Sequence, residues 1–265
     1  MEKDEIGTKN EKESWDKLWR NRKRLYVYRN VVKAAESFLG GVEGRSILEV
    51  GCGRGATLLE FARRGANVVG LDYSEEALVV CRAHEARGGI AGRATFVNGD
   101  ATKLPFRAES FDFVFSVGLL EHFQDPRTIL AEQQRVLRTG GYLLVQVPQK
   151  YSLYTGLKKM LIRLGKWPYG GWETEFSDRE ISGLVSEAGL EPKYIYGYGS
   201  FFLAAVRHSF LPTLDFGMFW RNGTELDVIR AVKVKTSLEI CVVAKKSRCG
   251  IGAPALDAQG SETQR

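Results

Sequence analysis

Short apolar runs alternate along the first 150 residues with stretches in which apolar residues recur every third or fourth position. Runs closed by Gly, Asp or Pro predict strands, and the longer spacing predicts helices. Residues 45–50 read as a first strand, closed by the turn Gly51-Cys52-Gly53-Arg54-Gly55. Leu58, Leu59 and Ala62 then place a helix running to about Arg64, stopped by Gly65. Residues 67–71 make a second strand ending at Asp72, and Ser74 caps the next helix, which has Glu75 and Glu76 in its first turn and runs to about Arg87. Residues 94–97 form a third strand, ending in Asn98-Gly99-Asp100, and 111–116 a fourth. Asp125-Pro126 opens a helix with the inner stripe Ile129, Leu130, Val136 and Leu137, which Gly140 and Gly141 break before a fifth strand at 142–147.

Beyond Pro148 the rhythm changes. Leu157, Met160, Leu161 and Leu164 describe a basic amphipathic helix among aromatic residues. Ser177-Asp178-Arg179-Glu180 is a capping box before a helix marked by Ile181, Leu184, Val185 and Ala188, and 194–198 and 238–244 are two more strands. Upstream, Trp15, Leu18, Trp19, Leu25, Tyr26, Val31, Val32 and Ala35 support one or two helices laid across the domain. Strands alternating with helices at this spacing predict an α/β fold, a mostly parallel sheet covered on both faces. Residues 13–245 are expected to form one domain, with a helical lid at 13–44 and substrate-side insertions at 149–175 and 200–222. The polar stretches 1–12 and 246–265 are expected to be disordered.

Composition narrows the classes. No run of about 18 apolar residues is present for a membrane span, and the charged start Met1-Glu2-Lys3-Asp4-Glu5 lacks a signal-peptide core, so a cytoplasmic protein is expected. Cys52, Cys81, Cys241 and Cys249 show no metal-ligand spacing and read as free thiols, so no metal is expected. The formal net charge is +6. It concentrates in Arg20, Arg22, Lys23, Arg24, Arg29 and Lys33, and again in Lys158, Lys159, Arg163 and Lys166. Such clusters suit a solvated face, an anionic substrate, RNA or an acidic membrane surface.

The glycine turn carries the chemistry. Without Cβ atoms its residues reach backbone angles closed to others and let a ligand lie on the main chain, beside a helix N-terminus with unpaired N–H groups. Asp72, Asp100 and the segment from Val117 to His122 each fall at the carboxyl end of a strand, where ligands of such sheets bind. Gly51, Gly53 and Ala56, with Asp72, also fit a dinucleotide fingerprint, so an NAD-dependent or non-catalytic nucleotide-binding protein stands as an alternative.

On Glu49-Val50-Gly51-Cys52-Gly53-Arg54-Gly55, Asp72, Asn98-Gly99-Asp100-Ala101, Gly118-Leu119-Leu120-Glu121-His122-Phe123 and the fifth-strand segment 137–148, the chain resembles the class I S-adenosylmethionine-dependent methyltransferases. The resemblance implies a Rossmann-like, seven-stranded, mostly parallel sheet with an antiparallel final strand, and S-adenosylmethionine as cofactor. It implies that Glu49 lies near the methionine amino group, that Gly51, Gly53 and Gly55 hold the methionine part, and that Asp72 takes the ribose hydroxyls. It implies further that Tyr73 lies against adenine, that Asp100 and Ala101 meet the adenine edge, and that Val117 begins the segment beside the sulfonium. Glu121 and His122 are then the candidate catalytic residues, available as a base in a direct displacement.

The aromatic insertion and the apolar stretch from Phe201 to Trp220 point to a small apolar acceptor, lipid- or quinone-like, met at a membrane surface. The same stretch suits a homodimer interface, and the basic clusters keep an RNA acceptor as an alternative.

Overall fold

The computed structural model describes residues 15–16, 19–20, 26–88, 90, 92–165, 173–200 and 237–247. Helix α1 (Arg29–Leu39) leads into β1 (Ser46–Val50), α2 (Ala56–Arg63), β2 (Asn67–Asp72), α3 (Glu75–Gly88) and β3 (Ala94–Asn98). Then follow β4 (Phe111–Val117), a 3-10 turn (Leu120–His122), α4 (Arg127–Val136), β5 (Leu137–Pro148), α5 (Leu153–Arg163), α6 (Asp178–Glu187), β6 (Glu191–Ser200) and β7 (Ser237–Lys245). The strands form one sheet in the order β3-β2-β1-β4-β5-β7-β6. The first five pair in parallel, and β7 runs antiparallel between β5 and β6. Strand order reverses at β1, whose neighbours are β2 and β4, so the loop after β1 opens into the crevice of the sheet.

Alternate strand residues feed two cores, because successive side chains point to opposite faces. Leu48, Val50, Val114, Leu143 and Val145 pack under α4 and α6 with Ile129, Leu130, Ile181 and Val185. Ile47, Phe113, Phe115 and Leu144 pack under α1 and α2 with Val31, Leu58 and Phe61. Several predicted stops work as expected. Ser74 Oγ accepts from Ala77 N at 3.3 Å, Gly65 has a φ of 87°, and the Ser177–Glu180 capping box is formed. Cys52, Cys81 and Cys241 are free and buried, while Cys249 lies outside the described residues.

One expectation changes. Leu137 is not the last residue of a helical stripe; α4 ends at Val136 and Leu137 opens β5 as the ladder partner of Phe111. Gly140 and Gly141 therefore lie inside a strand, where a Cβ on Gly141 would stand 2.8 Å from Asp112 O. The pairing with β4 outweighs the helical spacing, since an extended Leu137 is fully buried on the sheet. Helix α5 packs by its polar side. It turns Ser152, Thr155 and Lys158 inward and leaves Leu157, Met160, Ile162 and Leu164 exposed, so its apolar side does not face a core. Lys158 Nζ reaches Glu173 and, at 3.5 Å, Glu175, which is how a cation is accommodated on the inner side. The stretch 201–236, including the apolar run expected to be a substrate-side insertion, lies outside the described residues, as do 1–14 and 248–265.

Candidate functional site

The loop after β1 holds three glycines in the left-handed region, with φ of 73°, 52° and 67° at Gly51, Gly53 and Gly55. Side chains there would be strained and would also collide. A Cβ on Gly51 would stand 2.9 Å from Leu119, and one on Gly53 would stand 2.6 Å from the Trp19 ring. The turn is pinned to β2, because Gly51 N and Cys52 N both donate to Leu71 O, at 2.8 and 3.0 Å. The chain then enters α2, whose first turn supplies N–H groups without helical partners.

Glu49 comes from β1 and is buried beneath this turn, accepting from the Leu58 backbone N–H. Its Oε2 has no hydrogen-bond partner among the described residues. Burial, and after it the nearby Asp72 carboxylate, raises its pKa well above the usual carboxylate range. A buried, open carboxylate oxygen under a bare turn is the partner an ammonium group would satisfy.

Asp72 ends β2 with its two oxygens divided. Oδ2 accepts from Gly53 N at 2.7 Å and Oδ1 from Ser74 N at 2.9 Å, so the carboxylate ties the glycine turn to the start of α3. Burial raises its pKa, while these backbone donors oppose the rise. Each oxygen keeps a second lone pair, which leaves capacity for a diol. The exposed Tyr73 follows, and Asn98 Nδ2 donates to Asp72 O and Tyr73 O at 3.1 and 2.9 Å, which locks the ends of β2 and β3 together. Ala101 is buried. Asp100 is exposed, and its Oδ1 accepts from Thr102 N at 2.8 Å; no hydrogen bond among the described residues joins its side chain to the turn or to Asp72.

The N-terminal aromatic residues meet the same edge. Trp15 and Trp19 stack with ring centroids 6.5 Å apart, Trp15 stands edge-on to His122 at 4.9 Å, and Trp19 lies against Gly53. Asp16 bonds the Ser74 hydroxyl and Arg20 Nη2 reaches Glu76 at 2.8 Å. These contacts set Trp15, Asp16, Trp19 and Arg20 across the mouth, between the glycine turn, the start of α3 and His122.

Val117, half-buried, ends β4, and the 3-10 turn beyond it carries Glu121 and His122. The Glu121 carbonyl accepts from Thr174 N at 2.9 Å. Its carboxyl is buried, and Oε2 has no partner among the described residues. Burial pushes its pKa up to about 8; Glu239 and Glu173 add to the rise and Lys158 opposes it.

Glu239, Gln146, Glu173 and Asn30 were not legible as site residues. Asn30 Nδ2 donates to Gln146 Oε1 at 2.8 Å, and the Gln146 amide donates to Glu239. The one sequence signal was a charge at the head of the otherwise apolar run 238–244. Thus Glu49, the three glycines, Asp72, Tyr73, Ala101, Val117, Glu121 and His122 share the carboxyl edge of the sheet, with Asp100 at its exposed rim. Among the described residues no cluster of His, Cys, Asp and Glu is arranged to hold a metal ion.

Residues 48–145 match the methyltransferase domain family. A ubiquinone biosynthesis O-methyltransferase of Pseudomonas aeruginosa is 29% identical over 163 residues, 59% of this chain and 69% of that protein. The enzyme of the same name from Dinoroseobacter shibae is 32% identical over 155 residues, 57% of this chain and 61% of that protein, so this match spans less than two thirds of the relative's length. Among solved structures, a chain from the complex between the Haloferax volcanii Trm112 methyltransferase activator and a methyltransferase superposes with a TM-score of 0.62 at 21% identity, covering 92% of this chain and 99% of that one. A SAM-dependent methyltransferase from Aquifex aeolicus gives 0.55 at 17% identity, covering 87% and 96%. At these identities the structural likenesses establish the fold.

Proposed function

Because the chain belongs to the class I S-adenosylmethionine-dependent methyltransferases, we propose that it methylates a hydroxyl on a small, apolar, lipid- or quinone-like acceptor, with Glu121 as the base. The observation that carries this reading is the Glu121 carboxyl, buried at the end of β4 with one oxygen open. When bound, S-adenosylmethionine supplies an electrophilic methyl group on a sulfonium, whose departure as a neutral thioether needs no protein acid. Glu49 and the bare backbone at Gly51, Gly53 and Gly55 hold its amino acid part, Asp72 its ribose, and Tyr73, Asp100 and Ala101 its adenine. The remaining task is alignment in a dry site and removal of the acceptor's proton. Glu121 takes that proton, and His122, braced by the Trp15 edge, lines the approach.

An apolar acceptor is supported by the outward stripe Leu157, Met160 and Leu164 on α5, with Arg163 beside it, an arrangement suited to an acidic lipid surface near the acceptor side. The name carried by the relatives also fits a small-molecule hydroxyl. An RNA acceptor is less supported, since Arg20, Lys158 and Lys159 are engaged by Glu76, Glu173 and Glu175.

Two measurements test the proposal. With methyl-labelled donor and cell extract, label should partition into the organic phase; label made soluble by RNase or retained on protein would overturn the acceptor class. With the acceptor recovered from that phase, the rate should rise with pH through about 8, because only ionised Glu121 accepts a proton. Glu121→Gln should lower kcat about 100-fold. Its effect on stability has the opposite sign. An unfolded glutamate ionises near ~4.3, so the native state loses stability between that value and about 8 as the pH rises. The permanently neutral variant should therefore melt above the wild type at high pH, by scanning calorimetry. Wild-type activity in Glu121→Gln would remove the base assignment.

A further inference from the structure

Ala56, Leu59 and Arg63 lie at helical spacing on α2, as do His84, Arg87 and Gly88 on α3, so each set shares one face of its helix. With Val27 they line a groove between the two helices, a pocket of about 210 Å³. It is separate from the cofactor turn. Helix α2 starts at that turn and Arg63 is its last residue, about 10 Å along the axis from Ala56. At this far end Arg63 crosses to α3, where a Cβ on Gly88 would stand 3.4 Å from Nη2.

Val27, Ala56 and Leu59 make one side of the groove apolar, and the other side carries Arg63, Arg87 and His84. Arg63 has Glu60 at 3.6 Å, while Arg87 makes no ion pair among the described residues. The His84 ring donates to the backbone carbonyl of Arg54 in the glycine turn, and its Nδ1 is buried with no hydrogen-bond partner among the described residues. Burial, and after it the charges of Arg54 from the turn, Arg87 from α3 and Arg63 from α2, hold the imidazole below the usual histidine range; the bond to the carbonyl opposes them. The groove thus combines an apolar wall, converging positive charge and a buried nitrogen that lacks a partner.

We propose that this groove is a binding site for a small carboxylate with an apolar body the size of an aromatic ring, its charge held by Arg63 and Arg87 beside His84. The size follows from the volume. A cavity of roughly 150 Å³ takes up one benzene ring, and about 210 Å³ leaves room for a carboxyl group as well. The sign follows from the guanidinium groups, which a neutral occupant would leave unmatched, and the apolar body from the wall, which a bare inorganic anion would leave uncovered. With the carboxylate in place, a negative charge offsets the positive field at His84. The ring then takes a proton from solvent, and Nδ1–H donates to the carboxylate while the other nitrogen keeps the Arg54 carbonyl.

The experiment is a pH titration of the full chain followed by NMR of its imidazoles, with and without benzoate as the probe. The chain has 3 histidines, and the His84 signal is assigned by its loss in His84→Gln. Saturating benzoate should raise the His84 midpoint by about one pH unit and leave that of His122 in place. Arg87→Gln, a change at an exposed helix position, should weaken benzoate binding about 10-fold. Acetate, which has the charge without the ring, should bind about 10-fold more weakly than benzoate. An unmoved His84 midpoint, a shift at His122 in its place, unchanged affinity in Arg87→Gln, or acetate binding as tightly as benzoate would each overturn the site. The titration uses neither methyl donor nor acceptor, so its outcome is independent of the base assignment.

Discussion

Gly53→Val is expected to abolish measurable binding of S-adenosylmethionine. At a φ of 52°, an L-residue is strained, and a β-branched one more so. The strain is compounded by space, since a Cβ at this position would stand 2.6 Å from the Trp19 ring and 2.9 Å from another of its ring atoms. The turn must then deform or Trp19 must leave the mouth, and either change disturbs the surface proposed to carry the methionine part. Isothermal calorimetry should detect no heat of binding at ligand concentrations that saturate the wild type. Gly53→Ala, with a smaller side chain, should fall between the two. Retained affinity in Gly53→Val would refute the assignment of this loop to the cofactor.

Asp72→Ala should cost both stability and affinity. The carboxylate accepts from two main-chain donors, Gly53 N and Ser74 N, and removing it leaves both amides without their acceptor in a buried site. At about 1–3 kcal/mol for each of the two orphaned groups, a loss of about 2–6 kcal/mol is expected, or roughly 4–24 °C in melting temperature for a domain of this size. Affinity for the cofactor should fall about 100-fold, because the lost charged acceptor is also the one proposed to hold the ribose diol. Asp72→Asn keeps one acceptor oxygen and should lie between wild type and alanine in both measurements. Melting and calorimetry within error of the wild type would show that the carboxylate neither braces the turn nor meets the ligand.

Glu49 and Asp72 show why the strand-end carboxylates proposed to meet the cofactor could be read from sequence. Their positions follow from the chain itself: a strand ends, a turn of alternating glycines needs left-handed angles, and the residue at the end of the next parallel strand is brought beside it by the right-handed crossover. The division of Asp72 between Gly53 N and Ser74 N could not be read, because it depends on how closely the turn and α3 approach in space. Leu137 shows the limit from the other side. Its spacing fits the helix, and only the availability of Phe111 as a ladder partner makes it extended.

The acceptor side was less legible still. Glu121 could be named from its turn, but the charges that act on its buried carboxyl, Lys158, Glu173 and Glu239, come from α5, the 173–176 segment and β7, which follow it by dozens of residues. Glu239 and Gln146 are polar residues in apolar strands, and sequence alone assigns such residues no partner. Which side of α5 turns inward could not be read either, since Lys158 finds Glu173 and Glu175 only in three dimensions.

By itself the sequence determined the order of strands and helices, the glycine turn and the carboxylates at the strand ends, because these depend on local periodicity and backbone freedom. The tertiary structure decided which carboxyl groups are buried together and which side of α5 meets solvent. Desolvation and charge coupling act through space, between residues that the chain order leaves far apart.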